Sequence, residues 1–331
     1  MGFQRIADKI NGHLVLGYRW FQPDGIFRRK FLYLAHFRNF DFEGNAIANG
    51  IFSFGRLEFM NYYSIGYQTS YNFRTLSKAL TRGGPLSENP RAFWFGTNIS
   101  SDSREDIVLG LNGNLSRDEL GGNSHSVGLE IRWRPWSQVN LSIGPEYSSR
   151  LEKVQYINTL DDKLAVSTFG KRYIFAELNQ ETVSANIRVN WTFTPTLSLQ
   201  LFLQPLISVG DYSNFKELAE PRTLRFNKFG ENGSTINYNN NSDEYTVDPD
   251  GNGPAQNFDL SNPDFNFKSL RGTIVLRWEV LPGSIFYLVW SQDRTNFNDP
   301  GSFSFGRDFS NLWQANSDNI FLAKFTYWLN M

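Results

Sequence analysis

The sequence predicts an all-β fold: a transmembrane, outer-membrane-type antiparallel β-barrel with about 14–16 strands in this chain, part of a larger barrel. Three observations carry that expectation. First, residues 183–212 alternate with period two. Val183, Ala185, Ile187, Val189, Trp191 and Phe193 share one side of an extended chain, and Ser184, Asn186, Arg188, Asn190 and Thr192 share the other. The pattern restarts after Thr194-Pro195-Thr196, with Leu197, Leu199, Leu201 and Leu203 against Ser198, Gln200 and Gln204. Such a pattern means paired strands around a tight turn. Second, one turn grammar recurs at 17–27, 130–141, 188–199 and 275–286: Arg or Asn, then Trp, then Pro two to four residues on, then a new alternating strand. Proline presets φ and leaves no N–H unpaired in a turn. Tryptophan suits a level where its ring meets apolar matter and its N–H meets water. Trp20, Trp133, Trp191 and Trp278 therefore predict a girdle of the kind that borders a membrane barrel. Third, the long connectors 77–91, 211–266 and 298–317 fall on the end opposite to those turns, the barrel layout of short turns on one face and long loops on the other.

In chain order the expected strands lie near 12–21, 26–40, 46–58, 62–76, 92–100, 105–115, 124–134, 139–149, 151–158, 164–177, 181–193, 197–210, 267–279, 285–297 and 318–331. The first two turn at Gln22-Pro23-Asp24. The strand at 124–134 turns at Arg134-Pro135, 181–193 at Thr194-Pro195, and 267–279 at Leu281-Pro282-Gly283. In the last strand Phe321, Ala323, Phe325, Tyr327, Leu329 and Met331 share a face, with Lys324 and Thr326 opposite. An apolar, aromatic closing strand resembles the signal read by barrel-insertion machinery, although Met331 departs from the usual terminal aromatic. The fifteen strands begin and end in the same direction. The first and last therefore cannot pair antiparallel, and strands missing upstream, or another chain, are expected to complete the barrel. The whole of 1–331 reads as one barrel region, with 211–266 a long extracellular loop, either mobile or a ligand-facing surface, its Asn-rich composition favouring mobility.

Strands of ~10–14 residues exceed the ~5–6 usual in globular sheets and match the ~9–11 needed to cross a bilayer at a tilt. No period-3.6 segment is read that would cover a sheet, and no apolar run approaches the ~18 residues of a membrane-spanning helix. Composition narrows the classes further. The chain of 331 residues carries a net charge of −1, so neither nucleic acid nor an anionic surface is called for. Cysteine is absent, which removes disulfides and thiolate sites, and aromatic residues reach 16%. Met1-Gly2-Phe3-Gln4-Arg5 opens into no apolar stretch, so no signal peptide is read.

The stretches SLRGTIVLRWEVLPGSIFYLVWSQ (269–292), VDPDGNGPAQNF (247–258), NPDFNFKSLRG (262–272) and LTRGGPL (80–86) resemble a Bacteroidota family of outer-membrane proteins. In that family a carbohydrate-binding-like domain precedes a C-terminal β-barrel. The similarity runs from about Gly17 to the C-terminus. It implies an outer-membrane barrel, and implies that this chain lacks the N-terminal domain and the first barrel strands. It carries over no catalytic residue.

The sharpest chemical motif is Asp248-Pro249-Asp250-Gly251-Asn252-Gly253 with Asp259 following. Oxygen side chains stand at positions 1, 3, 5 and 12, with glycine at 6, the spacing of a calcium loop. Asp248, Asp250, Asn252 and Asp259 are thus candidate ligands for Ca2+, although Asp259 replaces the usual glutamate, Pro254 occupies position 7 and no helices flank the loop. A metal-free Asx- and glycine-rich loop is the other reading. In LTRGGPL the two glycines first serve a tight bend, and Arg82 is placed for a salt bridge with another loop, or for an anion or a sugar. For catalysis, His13, His36 and His125 sit on or beside separate strands, and Ser124 and Ser126 face away from His125. No nucleophile elbow, zinc helix, phosphate loop or dinucleotide fingerprint occurs. The expected function is therefore not enzymatic: passage or docking of a solute or partner through an integral barrel in the outer membrane of a Gram-negative, Bacteroidota-like bacterium, with glycan-related cargo suggested by the resemblance. The alternatives are a secreted soluble β-rich binding module and a barrel-embedded hydrolase.

Overall fold

The computed structural model describes residues 8–298 and 301–329. Nineteen strands are named in chain order: β1 (Ile10–Trp20), β2 (Phe27–Phe40), β3 (Ala46–Phe59), β4 (Ser64–Asn72), β5 (Thr75–Ser77), β6 (Ser87–Asn89), β7 (Ala92–Ser100), β8 (Ile107–Asp118), β9 (Asn123–Trp136), β10 (Val139–Asp161), β11 (Lys171–Thr194), β12 (Leu197–Leu218), β13 (Phe226–Lys228), β14 (Thr235–Asn239), β15 (Glu244–Asp248), β16 (Phe258–Ser261), β17 (Phe265–Leu281), β18 (Ser284–Asn298) and β19 (Ser317–Thr326). The chain is all-β and antiparallel. Thirteen strands form one meander, β1-β2-β3-β4-β7-β8-β9-β10-β11-β12-β17-β18-β19, with β13 attached to β12. β5–β6 and β14–β15–β16 make two small sheets of their own.

The register assigns each strand two chemically distinct faces. Trp191, Val189, Ile187 and Val183 of β11 stand beside Leu199, Leu201, Leu203 and Ile207 of β12, which stand beside Leu276, Ile274, Gly272 and Lys268 of β17. The same face continues through Leu288 and Trp290 of β18 to Ala323 and Phe321 of β19. In the other direction it runs through Ile143 of β10, Ile131 of β9 and Leu109 of β8. Many side chains of this face are exposed, Leu109 by 48%, Val127 by 51% and Trp278 by 47%, whereas Ile207 and Lys268 at its capped end are buried. On the opposite face Ser124, Ser126 and Gly128 of β9 are less accessible than Asn123, His125, Val127 and Leu129 beside them, so the polar face is concave and the apolar face convex. Contacts between distant strand ends agree with such a curl, because Arg222 beyond β12 reaches Asn45 between β2 and β3 (2.9 Å).

The sheet does not close on itself among the described residues: β1 pairs with β2 alone and β19 with β18 alone. An odd number of alternating strands leaves these two edges running in the same direction. The parity expected from fifteen strands survives in thirteen, since two expected pairs are single strands. Residues 139–149 and 151–158 belong to β10, and 181–193 joins the second half of 164–177 in β11.

The compact core lies beyond the curled wall, at the long-connector end. There β10, β11 and β12 run on for 22–24 residues. Ile174, Ala176, Phe215, Phe229, Val247 and Leu260 form one cluster between this extension and β14–β16. Val154, Tyr173, Phe175 and Leu218 form a second. Two register shifts in β10, between Glu152 and Gln155 and between Tyr156 and Asn158, bend and twist the extension in the manner of β-bulges. The interval 211–266 thus departs from the expected mobile loop: its ends belong to β12 and β17, and between them the chain builds a sheet with its own buried side chains. The expectation of no helical segment is also corrected. α1 (Phe305–Gln314) buries Leu312 and Asp308 and places Phe305, Phe309 and Trp313 in stacked succession. Asp308 accepts from Asn266 Nδ2 (3.0 Å) and Arg307 Nε (2.8 Å), and so joins the helix to β17. A single ten-residue helix inside a connector leaves only a short periodic trace, easily hidden among the aromatic residues of this chain.

One ion pair ties the extension together. Buried Arg172 donates to both oxygens of Glu217 (2.8 and 2.7 Å) and, through Nε, to Asp162 (2.7 Å). Removing one partner of such a pair leaves an uncompensated buried charge at a cost of about 3–5 kcal/mol. Glu217→Ala should therefore destabilise the extension by an amount near the lower end of that range, Asp162 remaining to share the charge. Hydrogen exchange of the β11 and β12 amides measures it, and the double change Arg172→Leu, Glu217→Leu should restore much of the loss.

Candidate functional site: the capped mouth

The concave face opens at the long-connector end into a cavity of about 630 Å3 lined by residues that include Asn72, Arg82, Asp118, Arg150, Glu152 and Tyr156. The segment 73–91, which carries the β5–β6 hairpin, caps this mouth. Its bend is the LTRGGPL stretch. Arg82 has φ 49° and Gly83 φ 99°, values that favour glycine. A Cβ on Gly84 would lie 2.2 Å from the Tyr173 ring, so only glycine admits that contact. Thr81 Oγ1 donates to the Pro85 carbonyl (2.8 Å) and closes the bend. The Arg82 guanidinium then stacks over Tyr156 at 4.6 Å.

Two charge clusters hold the cap from its ends. Glu119, between β8 and β9, accepts from Arg74 Nε and Nη2 (2.6 and 2.9 Å) and from Arg91 N and Nε (2.9 Å each). One carboxylate thus grips both ends of the capping segment. The bonds from Arg74, then those from Arg91, bring the Glu119 carboxyl down to about 2 although burial opposes the shift. Nearby, Lys78 bridges Asp8 and Asp41. Burial would raise the Asp41 carboxyl, but bonds from Asn45 and Lys78 bring it to about 2. On the far side Ser87 Oγ and the Arg222 N–H join the cap to the connector beyond β12, bonding Thr223 O (3.1 Å) and Leu86 O (2.7 Å). The partners of Glu119 are distant from it in sequence, so spacing gave no sign of this staple.

The residues singled out from the sequence as ligands occupy different elements. Asp248 closes β15, and its Oδ1 accepts from the N–H groups of Gly251 (2.8 Å) and Asp250 (3.3 Å). Asp250 Oδ2 accepts from the Ala255 N–H (3.0 Å). Asp259 lies on β16, opposite Thr246 of β15, and accepts its hydroxyl proton (2.7 Å). Asn252 stands in the intervening turn. Among the described residues no three His, Cys, Asp or Glu side chains come together as a metal-binding group. The histidines stay apart: His13 pairs in register with Phe37 while His36 pairs with Leu14, so the two take opposite faces, and His125 is on β9. Ser124 bonds Ser116 Oγ (2.7 Å) and Ser126 bonds Asn114 (3.2 Å), each across the β8–β9 ladder.

A family model matches residues 1–331, described as a domain of unknown function, DUF5916. The chain belongs to the DUF5916 family. No curated protein matches it. The family match spans the wall, the capped mouth and the edge strands alike, and so treats them as one unit.

Two outcomes follow from this site. Because the Glu119 carboxyl lies below its ordinary 4.5, its contribution to holding the cap is complete above that value and is lost as pH falls towards about 2. Glu119→Gln should loosen the cap already at neutral pH, read as faster proteolysis within 73–91 against an unchanged rate in the wild type down to moderately acid pH. For the 248–259 turn, the carboxylates are engaged by its own N–H and O–H groups, so proteolysis there should be equal with calcium or chelator; protection by calcium alone would establish a metal loop.

Proposed function

We propose that the chain is the wall of an integral outer-membrane β-barrel of a Gram-negative bacterium that gives passage or docking to a solute or partner. The observation that carries this reading is the convex face. Between the Trp20, Trp133, Trp191 and Trp278 level and the capped end, it bears no charged side chain on any of the thirteen strands. The band ends sharply at Arg38, Arg117, Glu181, Lys268 and Arg294. Along β17 it covers Leu270 to Trp278, about 30 Å of strand at ~3.3 Å per residue. A tilt of ~40° brings that to the ~25 Å apolar height of outer-membrane barrels. Exposed apolar patches on soluble monomers rarely exceed a few hundred Å2, which counts against the soluble binding module. The wall's concave face of Ser, Asn, Gln, Thr and paired charges suits water.

Within this reading the edges need partners, because an unpaired backbone group in lipid costs several kcal/mol. Two copies inserted in the same orientation present edges running the same way, so they do not supply antiparallel closure. An odd number of further strands does, from the polypeptide preceding β1 or from another chain, placed with the help of barrel-insertion machinery.

Leu201→Arg, on the convex face, should cost roughly 2–4 kcal/mol near the bilayer midplane, while Gln200→Arg on the concave face should be nearly silent. Folding into vesicles, together with retention in urea-washed membranes, measures both. Release of the wild type by urea, or equal effects of the two changes, would overturn the assignment.

A further inference from the structure

We propose that the concave face at the short-turn end of β1–β3 binds an oxyanion, a phosphate or carboxylate carried on a flat or apolar body. Arg19 of β1 stands opposite Phe31 of β2, and Phe31 stands opposite Arg56 of β3. Arg29 lies two residues from Phe31 on the same strand. Together with Glu58 these residues line a cleft of about 570 Å3.

Elsewhere on the concave face Arg132 meets Glu130 (3.2 Å), Arg271 meets Asp293 (3.3 Å) and Arg277 meets Glu279 (3.0 Å), while Arg188 stands alone over the Phe202 ring (4.9 Å) rather than in a cluster. In this cleft the two nearby carboxylates are already taken, Glu58 by Arg28 and Asp24 by Lys30. Arg56 donates to the Ser64 hydroxyl (2.9 Å) and Arg19 to the Tyr33 hydroxyl (2.6 Å). Arg29 has no partner among the described residues. Three guanidinium groups thus share a recess with no carboxylate left to balance them. Arg29 and Arg56 lie on strands paired on both sides, so a neighbour added at the β1 edge does not reach them by backbone pairing.

Beside the charges stands a ring platform. Tyr33 stacks on Phe54 with centroids 4.9 Å apart and planes 6° from parallel, and Arg19 lies over Phe31 and Tyr33 at 5.6 and 5.5 Å. Guanidinium groups present paired N–H donors that match carboxylate and phosphate oxygens. A concave, low-dielectric wall concentrates the positive potential. The rings offer the remainder of the ligand an apolar face. The inference names the class of solute that the proposed passage or docking would favour, yet the cleft itself does not require the convex face to meet lipid.

The test is titration of the folded chain in detergent with phenyl phosphate, inorganic phosphate and phenol. The aromatic phosphate should bind most tightly and the neutral phenol most weakly, with affinity falling as salt rises. Arg29→Gln with Arg56→Gln should weaken the aromatic phosphate by roughly tenfold or more, the scale of one charge-assisted contact. Arg132→Gln should stay within about twofold, since that arginine already has its acid. Phe31→Leu should narrow the gap between the aromatic and inorganic phosphates. Equal heat-modifiability on gels establishes that each variant is folded, and urea washing reports separately on membrane insertion. Repeating the titration in phosphatidylcholine vesicles with and without phosphatidylglycerol distinguishes a soluble anion from a lipid headgroup, since only a headgroup site is competed by the anionic lipid. Absence of saturable phosphate binding, or equal binding by the wild type and the double Arg29/Arg56 variant, would overturn the proposal.

Discussion

The continuous antiparallel hydrogen-bond ladder from β1 to β19 is the constraint on which everything else in this molecule rests. A ladder fixes which residues stand side by side, and the pleat then sends successive side chains to opposite faces. A one-residue slip at Val189↔Leu201 or Leu201↔Ile274 would move the leucines of β12 to the concave side and Gln200 to the convex side. The apolar band, the Trp level and the Arg19–Phe31–Arg56 row all express this single register. The short turns at the Trp end pin it, with Gly283 between β17 and β18 at φ 79°.

Beyond the band the same strands serve a different purpose. Ladder pairing carries β10, β11 and β12 past the level where the convex face turns polar, and there the chain packs as an ordinary water-soluble protein would. Ile174, Phe175, Ala176 and Val247 are fully buried, in contrast to the exposed leucines of the wall. One strand thus passes through two solvation regimes. Bulges in β10 separate them, and the Glu119 and Arg172 charge clusters lie on the packed side of the boundary.

Much of this arrangement was legible in the sequence wherever one face had to be apolar. The hairpin 183–212 and the closing strand up to Thr326 were read with the register that the ladder shows, while the turn expected at Arg134-Pro135 lies beyond Trp136 and Met331 of the closing strand lies outside the described residues. Reading failed where that requirement lapsed. Ser148-Ser149-Arg150 and Asn179-Gln180-Glu181 looked like ends of strands because the alternation stops there, yet backbone pairing continues through both. The Asn-rich tract 230–245 looked mobile because its composition is polar, but Ile236 and Tyr245 pack on a buried cluster contributed by distant strands. The Asp248–Asp259 spacing was met residue by residue, whereas hydrogen bonds place its members on a turn and on two strands. Linear spacing suggests a ligand set only when the backbone curls around a point, and here half of the motif is extended. The unbalanced arginines of β1–β3 gave no linear signal, because their significance lies in which acids are already engaged.

An odd strand count also decides where the two ends of the wall emerge. Even-stranded barrels bring the chain back to the side from which it entered. Here β1 starts at the capped end and β19 finishes at the Trp end, so the wall makes one net traverse, roughly 30 Å for strands of this length. If the wall stands in a membrane as proposed, a reporter attached ahead of Ile10 and another attached behind Thr326 sit in two different compartments, and a protease confined to either one removes only its own.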